Sequence, residues 1–230
     1  MKETLAIIVA AGSGNRFGGS VPKQFVELDG KPVVMHAVDA FRRALPGGRM
    51  LLVLSGSMLD FWSELCRSHG FESPQVVTGG ATRWESVKKA VEQAADMPPH
   101  TVAMVHDGAR PLVSGAVIRR VASCAVNTDG AIPAVEVTDS MRMLDDAGTG
   151  SEPVDRSRLR AVQTPQAFAL WRLREAYTLP YGNEFTDDAS VMAAAGFENI
   201  VLVEGERRNI KITSKEDLAI ATALLHEGDA

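Results

Sequence analysis

The stretch "IIVAAGSGNRFGGSVPKQF", residues 7–25, runs from an apolar strand straight into a glycine-rich loop carrying two cations, Arg16 and Lys23. Gly12 and Gly14 let the backbone approach a ligand closely and turn N–H groups toward it, which is what an anion requires. With two fixed positive charges added, the chemistry on offer is the holding of phosphate. Two familiar phosphate loops do not fit. A Walker A loop needs Gly-Lys-Ser/Thr opening a helix, and that tripeptide is absent. A dinucleotide fingerprint needs a third glycine where Phe17 stands, and Pro22 soon interrupts any helix. A plain turn with solvated charges stays open on this stretch alone.

Three further places could do chemistry. Asp107 ends the apolar run "TVAMVHD", where its carboxylate either meets a ligand or caps the next turn, and Arg110 lies close by. Lys211 falls within "NIKIT", an apolar strand pattern in which an unpaired ammonium would be costly to bury. Thr186 precedes "DDASVMAAAG" and reads as that helix's N-cap. His106 is directed by strand alternation to the face opposite Asp107. His36 and His69 read as surface or helix-face residues, so no catalytic histidine is expected.

The pattern "AAGSGNRF…PKQF" resembles the signature of nucleotidyltransferases that activate sugar and polyol phosphates. Further stretches follow in one order: "GGATRWESV" (79–87), "VHDGARP" (105–111), "VTDSM" (137–141), "VDR" (154–156), "QTPQAF" (163–168), "FTDDAS" (185–190) and "NIKIT" (209–213). Together they are similar to the 2-C-methyl-D-erythritol 4-phosphate cytidylyltransferase family of the non-mevalonate isoprenoid pathway, over nearly the whole chain.

The resemblance implies a site. Ala10, Ala11, Gly12 and Gly14 would line the CTP pocket, with Arg16 and Lys23 stabilising the transition state. Gly80, Arg83 and Ser86 would lie beside cytosine and ribose, and Asp107 would meet ribose, metal or substrate hydroxyls. Arg110, Ser140, Arg156, Thr164, Thr186 and Lys211 would serve the acceptor, with Arg156 and Lys211 orienting its phosphate. Mg²⁺ would come mainly on the triphosphate rather than on protein ligands. Ser140 stands where the family usually has threonine, and Ala81 and Thr82 where acidic residues often stand. A cytidylyltransferase for ribitol 5-phosphate shares these nucleotide motifs, and a non-catalytic nucleotide-binding module is the alternative of another class.

Positioning these residues demands particular elements. Apolar runs at 5–10, 50–55, 75–79, 101–107, 130–137 and 199–205 read as strands, several of them continuous enough to be covered on both faces. Between them, "VVMHAVDAFRRAL" (33–45) and "ESVKKAVEQAA" (85–95) have helical periods. "TSKEDLAIATALL" opens a last helix with Thr213 and Glu216 at capping-box spacing. The expected fold is α/β: a Rossmann-like three-layer sandwich with a mostly parallel sheet, in one domain spanning 1–230. The segment 138–160 breaks the rhythm, being polar and rich in turn formers, and "MRMLDDAGTGSEPV" within it reads as a β-hairpin. In the family that arm crosses to a second subunit, so a homodimer is implied.

At 230 residues the chain can bury one substantial core. Its net charge of −5 argues against nucleic acid or an anionic membrane as partner. No apolar stretch approaches the roughly 20 residues that cross a bilayer. Cys66 and Cys124, far apart, read as buried thiols in a reducing compartment, and the cytoplasm is the expected location.

Overall fold

Alternation along the first strand sets the plan of the molecule. In this computed structural model, which describes residues 3–12 and 21–227, β1 spans Thr4–Ala10. Leu5 and Ile7 point to one face and Ala6, Ile8 and Ala10 to the other, all of them buried. Both faces must therefore be covered. A small hairpin of β2 (Glu27–Leu28) and β3 (Lys31–Pro32) leads into α1 (Val33–Ala44). Then come β4 (Arg49–Leu54), α2 (Leu59–Ser68), β5 (Gln75–Thr78), α3 (Arg83–Gln93), β6 (Val102–Asp107), α4 (Gly115–Cys124) and β7 (Gly130–Glu136). A separate hairpin pairs β8 (Met141–Leu144) with β9 (Ser151–Val154). The order closes with β10 (Arg160–Val162), β11 (Gln166–Ala169), α5 (Leu170–Ala176), α6 (Asp188–Ala194), β12 (Ile200–Glu204) and α7 (Lys215–Glu227).

In the main sheet β5, β4, β1 and β6 lie side by side and parallel. Beyond β6, β11 enters antiparallel and contacts β7, which pairs antiparallel with β10 and parallel with β12. On one face α1, α2 and α4 bury Val34, Val38, Phe41, Trp62 and Ile118 against Ile8, Leu52 and Met104. On the other, α3, α5 and α6 bury Val87, Leu173 and Met192 against Ile7, Val53 and Val105. Each such aliphatic or aromatic side chain contributes roughly 1.5–3 kcal/mol by leaving water. A third cluster packs α7 against β2 and the start of α1 through Leu28, Val33 and Ala221, together with Leu112 and Ile212.

The apolar runs form strands where the sequence places them, and the 138–160 segment does carry a hairpin. Other expectations need correction. Lys211 belongs to no strand; it lies in an irregular segment before α7. The cap of α7 is one residue later than the spacing suggests. Ser214 Oγ accepts from Asp217 N at 3.2 Å, and Asp217 Oδ2 accepts from Ser214 N at 2.9 Å and Thr213 N at 2.8 Å. The N-cap of α6 is Asp187 rather than Thr186, in a reciprocal box with Ser190. Helix α3 starts two residues early because Thr82 Oγ1 accepts from Glu85 N at 3.1 Å. Cys66 and Cys124 are half-buried, not fully buried.

Candidate active site

The chain passes from β1 to β4 on one side and, through α3, to β6 on the other, so the crevice at the carboxyl ends of β1 and β6 is the sheet's switch point. A cleft of about 470 Å³ opens there. Its lining includes Ala10, Ala11, Gly12, Lys23, Gly80, Arg83, Ser86, Asp107 and Lys211, residues drawn from separate stretches of chain. Gly14 and Arg16 lie outside the described residues.

The first wall is the exit of β1. Gln24, only 3% exposed, donates from Nε2 to the carbonyls of Ala10 at 2.8 Å and Gly12 at 2.9 Å. Its neighbour Phe25 is anchored against Phe61 and Trp62, with ring centroids 5.6 and 6.2 Å away. The turn carrying Lys23 is thus fastened to the strand end it follows. Gln24 was passed over in the sequence. The available signal is chemical: an amide between a cation and a buried aromatic is a donor able to hold a returning backbone.

The second wall is the turn from β5 into α3. Ser86 is 2% exposed; its Oγ donates to Thr82 O at 2.8 Å and accepts from Gly80 N at 3.1 Å. Ala81 N donates to Glu85 Oε2 at 2.7 Å, so an acidic side chain serves this turn from the helix rather than from position 81. A Cβ on Gly79 would lie 2.7 Å from the Ala11 Cβ, which is why the two walls approach so closely only with glycine there.

Between the walls sits a knot of charge. Asp107 pairs with Lys211 Nζ at 2.9 Å and faces Arg83 Nε and Arg110 Nε, each at 3.6 Å. Burial alone would raise this carboxyl, but Arg83, Lys211 and Arg110 outweigh it and hold Asp107 well below the usual carboxylate range. Arg110 Nη1 also donates to Asn209 O at 2.7 Å, tying it to the segment that bears Lys211. Arg83 Nη2 donates to Asp188 Oδ2 at 2.7 Å, and Tyr177 OH donates to Asp188 Oδ1 at 2.6 Å. Burial opposes the charge of Arg83, yet Asp188 and Asp107 hold its guanidinium more firmly protonated than usual. Burial and the Asp188 carboxylate push the Tyr177 hydroxyl well above the phenol range, so it stays a donor. Neither Tyr177 nor Asp188 was singled out from the sequence, because an acidic residue inside an N-cap motif reads as solvated.

The remaining expected residues are placed elsewhere. Thr164 is 5% exposed, and its hydroxyl accepts from Asp107 N at 3.1 Å and meets His106 Nδ1 at 3.0 Å. His106 packs on Phe41, 5.1 Å between rings, on the face opposite Asp107. Thr186 is exposed and lines no part of the cleft. Ser140 and Arg156 are exposed on the arm; Arg156 donates to Thr138 O and borders a separate hollow with Glu136 and Arg160.

Residues 4–227 match the family described as "IspD: 2-C-methyl-D-erythritol 4-phosphate cytidylyltransferase". The chain is 45% identical to the 2-C-methyl-D-erythritol 4-phosphate cytidylyltransferase of Bacteroides thetaiotaomicron, covering 98% of this chain and 100% of that one. It is 43% identical to that of Bacteroides fragilis, covering 96% and 98%. The crystal structure of the Thermus thermophilus protein of the same name superposes with a TM-score of 0.73 at 32% identity, over 97% of this chain and 98% of that one. A cleft at the switch point, walled by the strand exit and the Gly79–Ser86 turn, thus sits on a chain matched to one family over nearly all its length. The chain belongs to the 2-C-methyl-D-erythritol 4-phosphate cytidylyltransferase family.

Proposed function

We propose that the cleft binds CTP and that the chain transfers its cytidylyl group to 2-C-methyl-D-erythritol 4-phosphate, giving 4-diphosphocytidyl-2-C-methyl-D-erythritol and pyrophosphate. The observation that carries this reading is the convergence of Gly12, Lys23, Gly80, Arg83, Asp107 and Lys211 on one cleft at the switch point. A phosphate oxygen of the acceptor bonds to the α-phosphorus, while the bond from that phosphorus to the β-bridging oxygen breaks. Pyrophosphate leaves with the electron pair. A phosphate dianion is already nucleophilic, so the step needs no general base, in keeping with a cleft lined by cations rather than by histidine. The difficulty is the meeting of two anions, and catalysis comes from placing them and offsetting their charge.

Lys23 and Arg16 serve the triphosphate, while Lys211 and Arg156 orient the acceptor phosphate. Ser140, Thr186 and Arg110 complete its surroundings, and Thr164 acts through Asp107. Mg²⁺ offsets the charge of the phosphate oxygens when bound. Among the described residues, Asp107 is the one carboxylate lining the cleft, and no cluster of three His, Cys, Asp or Glu side chains is placed to hold a metal. The arm supports a homodimer, and the free thiols of Cys66 and Cys124 support a cytoplasmic setting. No helix among the described residues is long and apolar enough to cross a membrane.

Base choice follows from the second wall. The cytosine amino group is a donor and needs an acceptor, so backbone carbonyls of the turn around Gly80, whose own N–H is already engaged by Ser86, would read it. UTP presents a carbonyl there and would set oxygen against oxygen. Pyrophosphate release with CTP should exceed that with UTP by about a hundredfold or more. Equal turnover of the two nucleotides, or a preference for ribitol 5-phosphate over methylerythritol phosphate, would overturn the assignment.

A further inference from the structure

We infer that Asp188, together with Tyr177, is a positioning residue for Arg83: it holds the guanidinium in the cleft wall and keeps it off Asp107. This rests on the reading of the cleft as the CTP site. Asp188 is fully buried, and among the described residues each carboxylate oxygen has one partner. Tyr177 OH fixes Oδ1 at 2.6 Å, and Arg83 Nη2 takes Oδ2 at 2.7 Å. The guanidinium lies between two carboxylates but is hydrogen-bonded to only one. Its Nε is 3.6 Å from Asp107 Oδ1, beyond a normal hydrogen bond. Asp107 accordingly keeps its 2.9 Å bond to Lys211.

A purely structural role explains this badly. The start of α6 is already tied by the Asp187–Ser190 box and by Gln166, whose Nε2 donates to Asp187 Oδ2 at 2.8 Å and whose Oε1 accepts from Ala189 N at 3.0 Å. Buried ion pairs generally stabilise a fold no better than apolar groups of the same shape. What a charge at 188 supplies, and an apolar residue would not, is direction for Arg83. Without it the guanidinium's remaining opposite charge is Asp107, and closing on that carboxylate would compete with Lys211. One substitution behind the wall would then disturb the groups facing both substrates.

A double-mutant cycle with Asp188→Asn and Arg83→Gln tests this. Asp188→Asn should lower kcat/KM for CTP roughly 10–100-fold, with the loss in kcat exceeding the rise in KM. In the Arg83→Gln background the same change should alter it less than about twofold, since there is no guanidinium left to position. Equal losses in both backgrounds would show that Asp188 does not act through Arg83. Tyr177→Phe, which keeps the charge and removes one hydroxyl, should cost only a few-fold, again vanishing with Arg83→Gln; it runs the cycle should Asp188→Asn fail to fold. A crystal structure of Asp188→Asn gives a readout independent of turnover: Arg83 should move to about 3 Å from Asp107, and an unmoved guanidinium overturns the inference. Wild-type protein that releases no pyrophosphate from CTP would refute the functional reading instead, while leaving the crystallographic result to be judged by itself.

Discussion

His106, buried outside the cleft, shows how one residue supports another that lines it. Its imidazole is fully buried, bonded through Nε2 to Arg110 O at 3.1 Å and through Nδ1 to the Thr164 hydroxyl that also receives the Asp107 N–H. Burial pulls its pKa from 6.5 to about 4. Because the folded value is depressed, the unfolded chain takes the proton first: folding loses stability as pH falls below about 6.5, and the loss is complete near 4. A shift of that size is on the order of 3 kcal/mol. Asp107, held low by its cations, adds stability above the ordinary carboxylate range that disappears only as pH falls through its folded value. Urea unfolding from pH 7 to 4 should therefore show a steady loss, and His106→Gln should remove the portion between 6.5 and 4. A variant with an unchanged slope would assign the loss to other groups. Lys23 and Asp107 were legible in the sequence because a cation on a glycine-rich loop and a carboxylate at a strand end both invite a ligand. Arg83 came only with the family resemblance, and Lys211 was expected from a burial it does not have, its side chain being 41% exposed. Gln24 and Asp188 were not legible, since the partners of Gln24 lie 12 and 14 positions away and those of Asp188 lie 11 and 105 positions away.

At the scale of elements, the cleft is a gap between two turns that follow parallel strands. Its width is set where Gly79 passes Ala11. Gly79→Ala would bring Cβ atoms to 2.7 Å and press on Ser86 Oγ at 2.9 Å. The turn must yield, at a cost of about 1–3 kcal/mol, and KM for CTP should rise about tenfold or more while the α3 cap at Thr82 survives. Unchanged KM with lowered stability would mean that the wall's spacing does not matter to the nucleotide. The long apolar runs at 5–10 and 101–107 were readable as strands because burial on both faces leaves no polar alternation. The four residues of β11 were not, as Gln166–Ala169 follow Pro165 and are too short for any period to appear. Caps slipped by a residue at α6 and α7 for a related reason: in runs such as "TDDAS" and "TSKED" several side chains can reach the same N–H groups, and geometry chooses.

The whole molecule raises the question of the arm. Met141, Met143 and Leu144 are 42%, 58% and 65% exposed on β8, and Arg156 lies outside its own chain's cleft. If each subunit lends Arg156 to the other's site through the arm, two inactive variants should rescue one another. Lys23→Ala and Arg156→Ala, mixed under conditions allowing exchange, would place both defects in one site of a mixed dimer and none in the other. Activity should return to up to about half of wild type per mixed dimer. A mixture that stays inactive after verified exchange would confine Arg156 to its own subunit. The arm was legible as an interruption, a polar stretch rich in turn formers with too little apolar surface to pack at home. Its destination in a second subunit came only from the family resemblance, because a contact between subunits leaves no mark on one chain's own periodicity.

The gathering of Lys211, Arg83 and Arg110 around Asp107, with Lys23 across the gap, gives the protein a reversed pole. The chain as a whole carries −5, so a nucleotide approaching from afar is pushed away. Within about 8 Å, the screening distance at physiological salt, the cleft dominates and the sign flips. Capture is thus settled by close encounters rather than by long-range guidance, and anions that merely drift past the acidic surface are turned aside. Added salt weakens the distant repulsion and the local attraction together, so the on-rate for CTP should vary far less with ionic strength than in an enzyme presenting a broad basic face.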